Sequence, residues 1–307
     1  MPPRPKRSRR SPQRPRRFPP ALLLGGVALL LAILAATGYY LPRHHAPEPP
    51  ATVTATVKKR PAAAPPRARQ QAVPHQQPAA PPAPQLHPPR MALIIDDMGY
   101  HDKIGDALLD LHLDLSFAFL PFAPHTQRQR QRAQQLQRDI LLHLPMEATD
   151  PKWDPGPGAL FIGMPASELR HTVTQDLAAV PGAIGINNHM GSLFTANEPA
   201  MQTFLAQLRP HRLFFLDSMT TPKSVGFQLA TRMGVPVLRR NIFLDNEQHK
   251  DKIKKQLDAL AFLAKKQGIA IGIAHPHQAT LEALREFQRQ QDQTVRLVGI
   301  HHLIDLP

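Results

Sequence analysis

The stretch "ALIIDDMGY", residues 92–100, is the clearest indication of the fold of residues 91–307. Four apolar residues lead directly into two adjacent carboxylates, Asp96 and Asp97, and then into Gly99. A run that is apolar throughout, rather than alternately, is typical of a strand covered on both faces, as in a parallel sheet. Reactive groups in parallel α/β folds collect where strands end and the next loops begin. The two like charges therefore indicate a functional site at the end of a buried strand.

The same pattern recurs along residues 91–307, where further apolar runs alternate with helix-length amphipathic segments. Strict alternation over seven or eight units predicts an α/β barrel or an open doubly wound sheet. The seven further runs are "LSFAFL" (115–120), "DILLHL" (139–144), "AIGIN" (183–187), "RLFFLD" (212–217), "VPVL" to "NIFLD" (235–245), "IAIGIA" (269–274) and "VRLVGI" (295–300).

The formal charge of +14 over 307 residues is concentrated at the N-terminus. Residues 1–90 hold fifteen Lys and Arg against one acid, Glu48, whereas residues 91–307 hold twenty-two residues of each sign. The excess of basic over acidic residues therefore lies outside the folded domain. We expect no nucleic-acid partner, because such a partner requires a basic face on the domain that binds it.

The N-terminal part divides into three predicted segments. Residues 1–20 form a basic cytoplasmic tail, and residues 21–41 are uncharged and long enough, at about 30 Å of helix, to cross one bilayer core. Residues 42–90 contain fourteen prolines and eleven alanines, which predicts a disordered tether. We expect a single-pass protein of a bacterial inner membrane with the domain at 91–307 in the periplasm, although a cleaved signal peptide is the alternative for 21–41.

Metal-capable side chains follow nearly every predicted strand. They are His143 in "HLPME", Asn187, Asn188 and His189 in "INNHMGS", Asp217 in "FFLDS", Asp245 in "NIFLD" and His275 in "AHPH". Singly, each has an ordinary structural explanation, such as a helix cap or a hydrogen-bonded histidine. Together they would converge on one mouth with the aspartate pair. Adjacent carboxylates beside imidazoles repel each other unless a positive charge lies between them, and a divalent cation meets that need.

These motifs also carry a family resemblance. In order and spacing, the chain resembles the divergent polysaccharide deacetylases, a remote branch of the metal-dependent carbohydrate deacetylases. The resemblance spans about residues 90–300 and implies a distorted (β/α) barrel of about seven parallel strands, a divalent metal, usually zinc, and removal of acetyl groups from glycans such as peptidoglycan. The motifs are "ALIIDDMGY", "HLPME", "GINNHMGS", "FFLDSMTT" and "GIAHPH".

The resemblance also implies roles for individual residues. Asp96 matches the catalytic carboxylate, Asp97 the metal-binding carboxylate, and His275 the histidine that protonates the departing amine. The family's HxxxH pair of ligands is absent, because the fourth residue after His143 is Glu147. We therefore predict Asp97, His143 and His189 as ligands. Asp97, His143 and Glu147 form the alternative set.

Four further residues are predicted to bind substrate. Asn188 and Ser192 lie on either side of His189. Asp217 ends the run at 212–217, where a structural role is equally compatible with the sequence. Trp153, the single tryptophan, lies in a loop rich in proline and glycine, where its ring could stack on a sugar or fold back on the barrel. The Gln/Arg-rich segment 127–138 is interpreted as a solvated helix face.

Two functions fit these observations. The first is an anchored hydrolase that deacetylates an envelope polysaccharide with a divalent metal, most simply Zn²⁺. The alternative is an envelope protein that keeps the fold and binds glycan or protein without turnover. Occupancy of the metal site distinguishes them, because a protein that only binds has no need to retain all three ligands.

Overall fold

The computed structural model describes residues 88–290 and 294–304, and these residues form one parallel sheet surrounded by helices. Seven strands have three residues or more, and β7 and β9 have two. The strands are β1 (Arg90–Met98), β2 (Ser116–Phe119), β3 (Asp139–Met146), β4 (Gly185–Met190), β5 (Phe214–Asp217), β6 (Val237–Arg239), β7 (Ile242–Phe243), β8 (Ile269–Ala274) and β9 (Arg296–Leu297).

The sheet curls towards a barrel. Its strand order is β6-β5-β4-β3-β2-β1-β8-β7, with β9 also paired to β1, and every pairing is parallel. The edge strands β6 and β7 are joined by only two residues, Arg240 and Asn241, so their facing ends lie at most about 11 Å apart. A flat path of eight strands would separate its edges by roughly 33 Å. The connection therefore requires strong curvature, and the predicted parallel α/β fold of barrel type is confirmed.

Helices cover the outer face of the sheet. In the 18-residue helix that precedes β8, the buried positions Ile253, Leu257, Leu260 and Ala264 recur at helical spacing. The helices are α1 (Asp102–Leu109), α2 (Thr126–Gln135), α3 (Ala166–Ala179), α4 (Glu198–Leu205), α5 (Leu208–His211), α6 (Gly226–Met233), α7 (Lys250–Gln267) and α8 (Gln278–Arg289), with 3₁₀ turns at Phe194–Ala196 and Ile300–Leu303.

The apolar core has two layers. The larger layer joins the outer sheet face to the helices and includes Leu93 and Ile95 of β1. The smaller layer fills the concave face and includes Ile94, Leu141 and Ile273. Because side chains alternate between faces along a strand, the residues two positions after Ile94, Leu141 and Ile273 point to the same concave side.

Within the described residues, no helix combines the length and apolar character needed to cross a membrane. The predicted basic tail at 1–20, the predicted anchor at 21–41 and the predicted tether up to residue 87 lie outside these residues.

Candidate active site

The alternation of β1, β3 and β8 places three polar side chains at the carboxyl end of the concave face. Asp96, His143 and His275 each stand two residues after a core residue of that face. Asp96 and His143 are only 1% and 2% exposed. The sheet therefore brings the predicted groups from β1, β3 and β8 to one mouth.

A β-bulge allows both aspartates to reach this mouth. The pairing of β1 with β2 shifts between Ile95 and Met98, where three steps along β1 correspond to two along β2. Asp97 adopts a left-handed backbone conformation with φ of 54°, which aspartate tolerates better than most side chains. Consecutive strand residues normally point to opposite faces. Here Asp96 Oδ2 and Asp97 Oδ1 lie 3.7 Å and 3.1 Å from the same atom, His143 Nε2.

Asp97, His143 and His189 form a compact cluster of ligand atoms. Asp97 Oδ1 lies 3.1 Å from His143 Nε2 and 2.9 Å from His189 Nδ1, and the two ring nitrogens are 3.2 Å apart. Two atoms bound at 2.0–2.1 Å to a tetrahedral zinc ion lie about 3.3 Å apart. The triangle of donor atoms therefore matches one face of a zinc coordination tetrahedron.

Asn187 determines which nitrogen of His143 faces the cluster. Its amide Nδ2 donates a hydrogen bond to Asp96 Oδ1 at 2.8 Å. The other amide atom, Oδ1, lies 3.0 Å from His143 Nδ1 and accepts the proton there. His143 Nε2 is then directed at Asp97 Oδ1. This arrangement of a second hydrogen-bonded partner behind a ligand histidine is common at metal sites.

The cluster requires positive charge at its centre. Asp97 Oδ1 is buried and has no well-directed hydrogen bond, although two ring nitrogens lie near it. Burial would raise the pKa of Asp97, but the contacts and charges of His143 and His189 hold it well below its usual range. Burial would lower the pKa of His143, but Asp96 and Asp97 raise it. The three residues thus fit a divalent cation. In the metal-free chain, protons on the histidines supply the positive charge instead.

His275 belongs to a separate hydrogen-bonded pair. Its Nδ1 lies 2.9 Å from Asp245 Oδ1, and its backbone N–H donates to Asp245 Oδ2 at 2.6 Å. Thr280 Oγ1 also donates to Asp245 Oδ2 at 2.8 Å. Burial alone would lower the pKa of His275, but Asp245, with smaller effects of Asp96 and Asp97, raises it to about 9.

A second group of metal-capable residues includes this pair. Asp245, His275 and His277 offer ligand atoms within 4.8 Å of one another. Both oxygens of Asp245 already accept hydrogen bonds from His275 or Thr280, whereas Asp97 Oδ1 lacks one. The geometry therefore favours the first cluster for a cation and the second for a histidine held by an aspartate.

Comparison with known proteins identifies the family of the chain. A family model of divergent polysaccharide deacetylases matches residues 93–304. The chain belongs to this family. It is 37% identical over 215 residues to an uncharacterized protein of Haemophilus influenzae, covering 70% of this chain and 76% of that protein. It is 33% identical over 218 residues to the uncharacterized protein YibQ of Escherichia coli, covering 71% and 68%.

A solved structure shares the fold of this family member. The crystal structure of an uncharacterized protein from Agrobacterium tumefaciens superposes with a TM-score of 0.68 at 25% identity, covering 72% of this chain and 92% of that one. The resemblance found from the sequence motifs is confirmed by the family match.

Glu147, the alternative ligand, lies outside the cluster of ligand atoms. Its carboxylate Oε2 accepts a hydrogen bond from the backbone of Ile162 at 2.8 Å, and its carbonyl oxygen accepts from Leu193 and Phe194, both at 3.1 Å. These contacts bind the loop after β3 to the turn after β4. The structure therefore brings His189, rather than Glu147, to Asp97 and His143.

Two of the residues predicted to contact substrate are buried. Asn188 is 1% exposed, accepts from the Ser218 backbone at 2.9 Å and donates to the Met190 carbonyl at 2.7 Å. Asp217 is fully buried, and its side-chain oxygens accept hydrogen bonds from Met219, Ser224 and Phe227. Both side chains hold the loops after β4 and β5. The sequence predicted that both side chains contact substrate. In the structure their polar atoms make hydrogen bonds within the protein instead.

Ser192 and Trp153 lie nearer to solvent. Ser192 is half-buried, and its hydroxyl accepts a hydrogen bond from the Thr149 backbone at 2.9 Å. Trp153 is 63% exposed and lines a pocket beside Glu147. The ring therefore does not fold back into the barrel core.

The structure gives supporting roles to three residues to which the sequence assigned none. Asn187 and Asp245 are among the polar groups that the sequence places at strand ends, but their partners His143 and His275 become visible only in the fold. Gln129 is the third, because the segment 127–138 is not the wholly solvated helix face that the sequence predicted. Gln129 is fully buried, accepts a hydrogen bond from Gly99 N at 3.0 Å and donates to the His101 carbonyl at 2.9 Å. It thereby fixes the turn that follows the aspartate pair.

Proposed function

We propose that this chain is a metal-dependent hydrolase that removes acetyl groups from a cell-envelope polysaccharide. The observation that carries the proposal is the triangle of Asp97 Oδ1, His143 Nε2 and His189 Nδ1, with edges of 2.9–3.2 Å. Membership of the deacetylase family supports the reaction class. Acetylated glycans such as peptidoglycan are the proposed substrates.

Asp97, His143 and His189 would hold the metal. Two imidazoles and one carboxylate suit Zn²⁺ well and leave one coordination position for water or substrate. A divalent metal bound there would polarise an acetyl carbonyl and lower the pKa of a water molecule. Asn187 supports this role because it fixes the His143 ring through Nδ1.

Asp96 is the proposed general base. One of its oxygens is held by Asn187 at 2.8 Å, and the other lies on the side of His143 and the metal cluster. Burial, opposed by His143 and His275, raises the pKa of Asp96 above its ordinary value. A more basic carboxylate accepts a proton from attacking water more readily.

His275 is the proposed general acid. Asp245 fixes the ring through Nδ1, so Nε2 is the atom that can reach a substrate. With its pKa raised to about 9, the ring is protonated at neutral pH. It can therefore deliver a proton to the sugar nitrogen as the C–N bond breaks and the amine departs.

The cellular setting is also part of the proposal. The uncharged segment 21–41 behind eight basic residues would anchor the chain in the inner membrane, with the tether at 42–90 carrying the domain into the periplasm. In that position the domain can meet envelope glycans while remaining attached to the membrane.

The test is acetate release by the full chain. Purified protein of known metal content is incubated with peptidoglycan fragments and with chito-oligosaccharides, and Asp96→Asn serves as the matched variant. We expect acetate from the wild type and a loss of about 10²–10⁴-fold in Asp96→Asn. Stoichiometric metal without acetate release from any substrate would contradict the proposal in favour of a glycan-binding protein.

A further inference from the structure

A pocket of about 400 Å³ lies at the carboxyl end of the strands that carry His143 and His189. It is formed by the loop after β3 and the turn after β4. Pro145 of β3 pairs with His189, and Met146 pairs with Met190, so Glu147 in the pocket wall stands just beyond the level of a proposed ligand. Glu147 and Leu193 of the pocket wall follow β3 and β4, so the pocket and the proposed metal site open at the same end of the sheet.

The loop that forms the pocket is held by hydrogen bonds to the barrel. Leu160 N donates to the Pro145 carbonyl at 2.9 Å, and Glu147 N donates to the Leu160 carbonyl at 2.9 Å. Thr149 N donates a hydrogen bond to Ser192 Oγ, which connects the loop to the turn after β4. The pocket walls are therefore fixed by the same two strands that supply His143 and His189.

The wall presents aromatic rings to solvent. Trp153 is 63% exposed and Phe161 is 42% exposed, and Leu193 completes an apolar surface between them. Large exposed apolar side chains that cluster in a concave surface mark binding sites. Flat aromatic faces beside polar groups suit a sugar ring, which has an apolar face and a polar rim.

The charge of the pocket is negative. Glu147 and Asp154 lie in the wall, and the part of the chain that the structure describes contributes no lysine, arginine or histidine to it. Asp154 Oδ1 accepts a hydrogen bond from Gly156 N at 2.9 Å, which fixes its carboxylate. An ammonium group is attracted both by carboxylates and by the face of an indole ring. An acetamido group carries no such charge.

We propose that this pocket binds a hexosamine ring whose amine is already free, next to the sugar whose acetyl group is being removed. The inference rests on the proposed deacetylase function, since that reaction produces such a ring. Binding of one product ring would place the neighbouring acetylated ring at the metal site. The chain would therefore prefer a partly deacetylated glycan to a fully acetylated one.

The single tryptophan of the chain gives a direct probe, because Trp153 lies in the pocket. Fluorescence of the full chain carrying Asp96→Asn, which suppresses turnover, is titrated at about pH 6 with fully deacetylated and fully N-acetylated chitotetraose. We expect the cationic tetramer to bind about tenfold more tightly. The further substitution Asp154→Asn removes the charge and keeps the oxygen that accepts the hydrogen bond from Gly156. It should reduce the ratio of the two affinities to about threefold.

Asp114→Asn is the matched control, because Asp114 is exposed and lies before β2, at the opposite end of the parallel strands. It should leave the ratio unchanged. Equal affinities for the two tetramers, or equal effects of Asp154→Asn and Asp114→Asn, would overturn the inference. Acetate release without any preference would defeat this inference alone. A preference without acetate release would defeat only the proposed function.

Discussion

Replacing Asp245 with asparagine should change the protonation of His275 at neutral pH. The substitution keeps the shape of the side chain and removes its charge. In the wild type the pKa of His275 is raised to about 9, so about 97% of the rings are protonated at pH 7.5. Without the charge of Asp245, burial, which is the largest single effect on this ring, should outweigh the smaller effects of Asp96 and Asp97 and lower the pKa to about the ordinary 6.5 or below. At most about a tenth of the rings would then be protonated.

The same pair links stability to pH. A histidine whose pKa is raised in the folded state stabilises the fold fully below its unfolded-state pKa and loses that contribution as pH rises through the folded-state value. For His275 the window is about pH 6.5 to 9, and the shift corresponds to roughly 3 kcal/mol. The free energy of unfolding of the metal-free wild type should fall across this window. In Asp245→Asn the contribution of His275 to this fall should disappear, whereas the contribution of His143, whose pKa is also raised, should remain.

NMR titration of the histidine ring protons measures the pKa directly. The chain has sixteen histidines, so His275→Gln identifies the signal of interest by difference. Asp217→Asn is the control, because Asp217 is equally buried and accepts three hydrogen bonds without contacting a histidine. A pKa of His275 that stays near 9 in Asp245→Asn, or an equal change of that pKa in Asp217→Asn, would contradict the role of the Asp245 charge.

Two further outcomes follow from the proposed site, and a third follows from the proposed membrane anchor. Asp97→Asn should abolish tight metal binding, measured by calorimetry, whereas Asp96→Asn should retain the metal; equal behaviour of the two would contradict their separate roles. His189→Ala should weaken metal affinity by more than the ~10–100-fold typical of groups behind the ligands, and Glu147→Ala should change it much less; the reverse order would restore the alternative ligand set. Full-length protein should fractionate with inner membranes through residues 21–41, and recovery of a soluble form that begins near residue 37 would contradict the anchor.

The strands could be predicted because each is an apolar run bounded by polar groups. One boundary was wrong, since the run 235–245 is two strands, β6 and β7, at opposite edges of the sheet. The chain turns at Arg240, between the two strands. The Arg240 guanidinium donates hydrogen bonds to the carbonyls of Ser218 at 2.6 Å and Met219 at 2.8 Å. The polar residues Arg239, Arg240 and Asn241 mark the break in the sequence. The partners of Arg240 lie more than twenty residues away in the chain, so the placement of the two strands at opposite edges has no local signal.

The candidate site could be predicted in its residue types but not in its connections. Asp97, His143 and His189 were identifiable as metal-capable groups at strand ends. The bridge through Asn187 was not, because its partners Asp96 and His143 lie 91 and 44 residues away in sequence. The burial of Asn188 and Asp217 likewise depends on loops that meet only in the folded chain.

X-ray absorption at the zinc edge tests the central claim most directly. The full chain is stripped of metal, reconstituted with one equivalent of Zn²⁺ and compared with His189→Ala. We expect one bound zinc per chain, coordinated by two imidazoles and a carboxylate at about 2.0–2.1 Å, with one imidazole lost in the variant. A chain that does not retain zinc, or a zinc environment unchanged by His189→Ala, would contradict it.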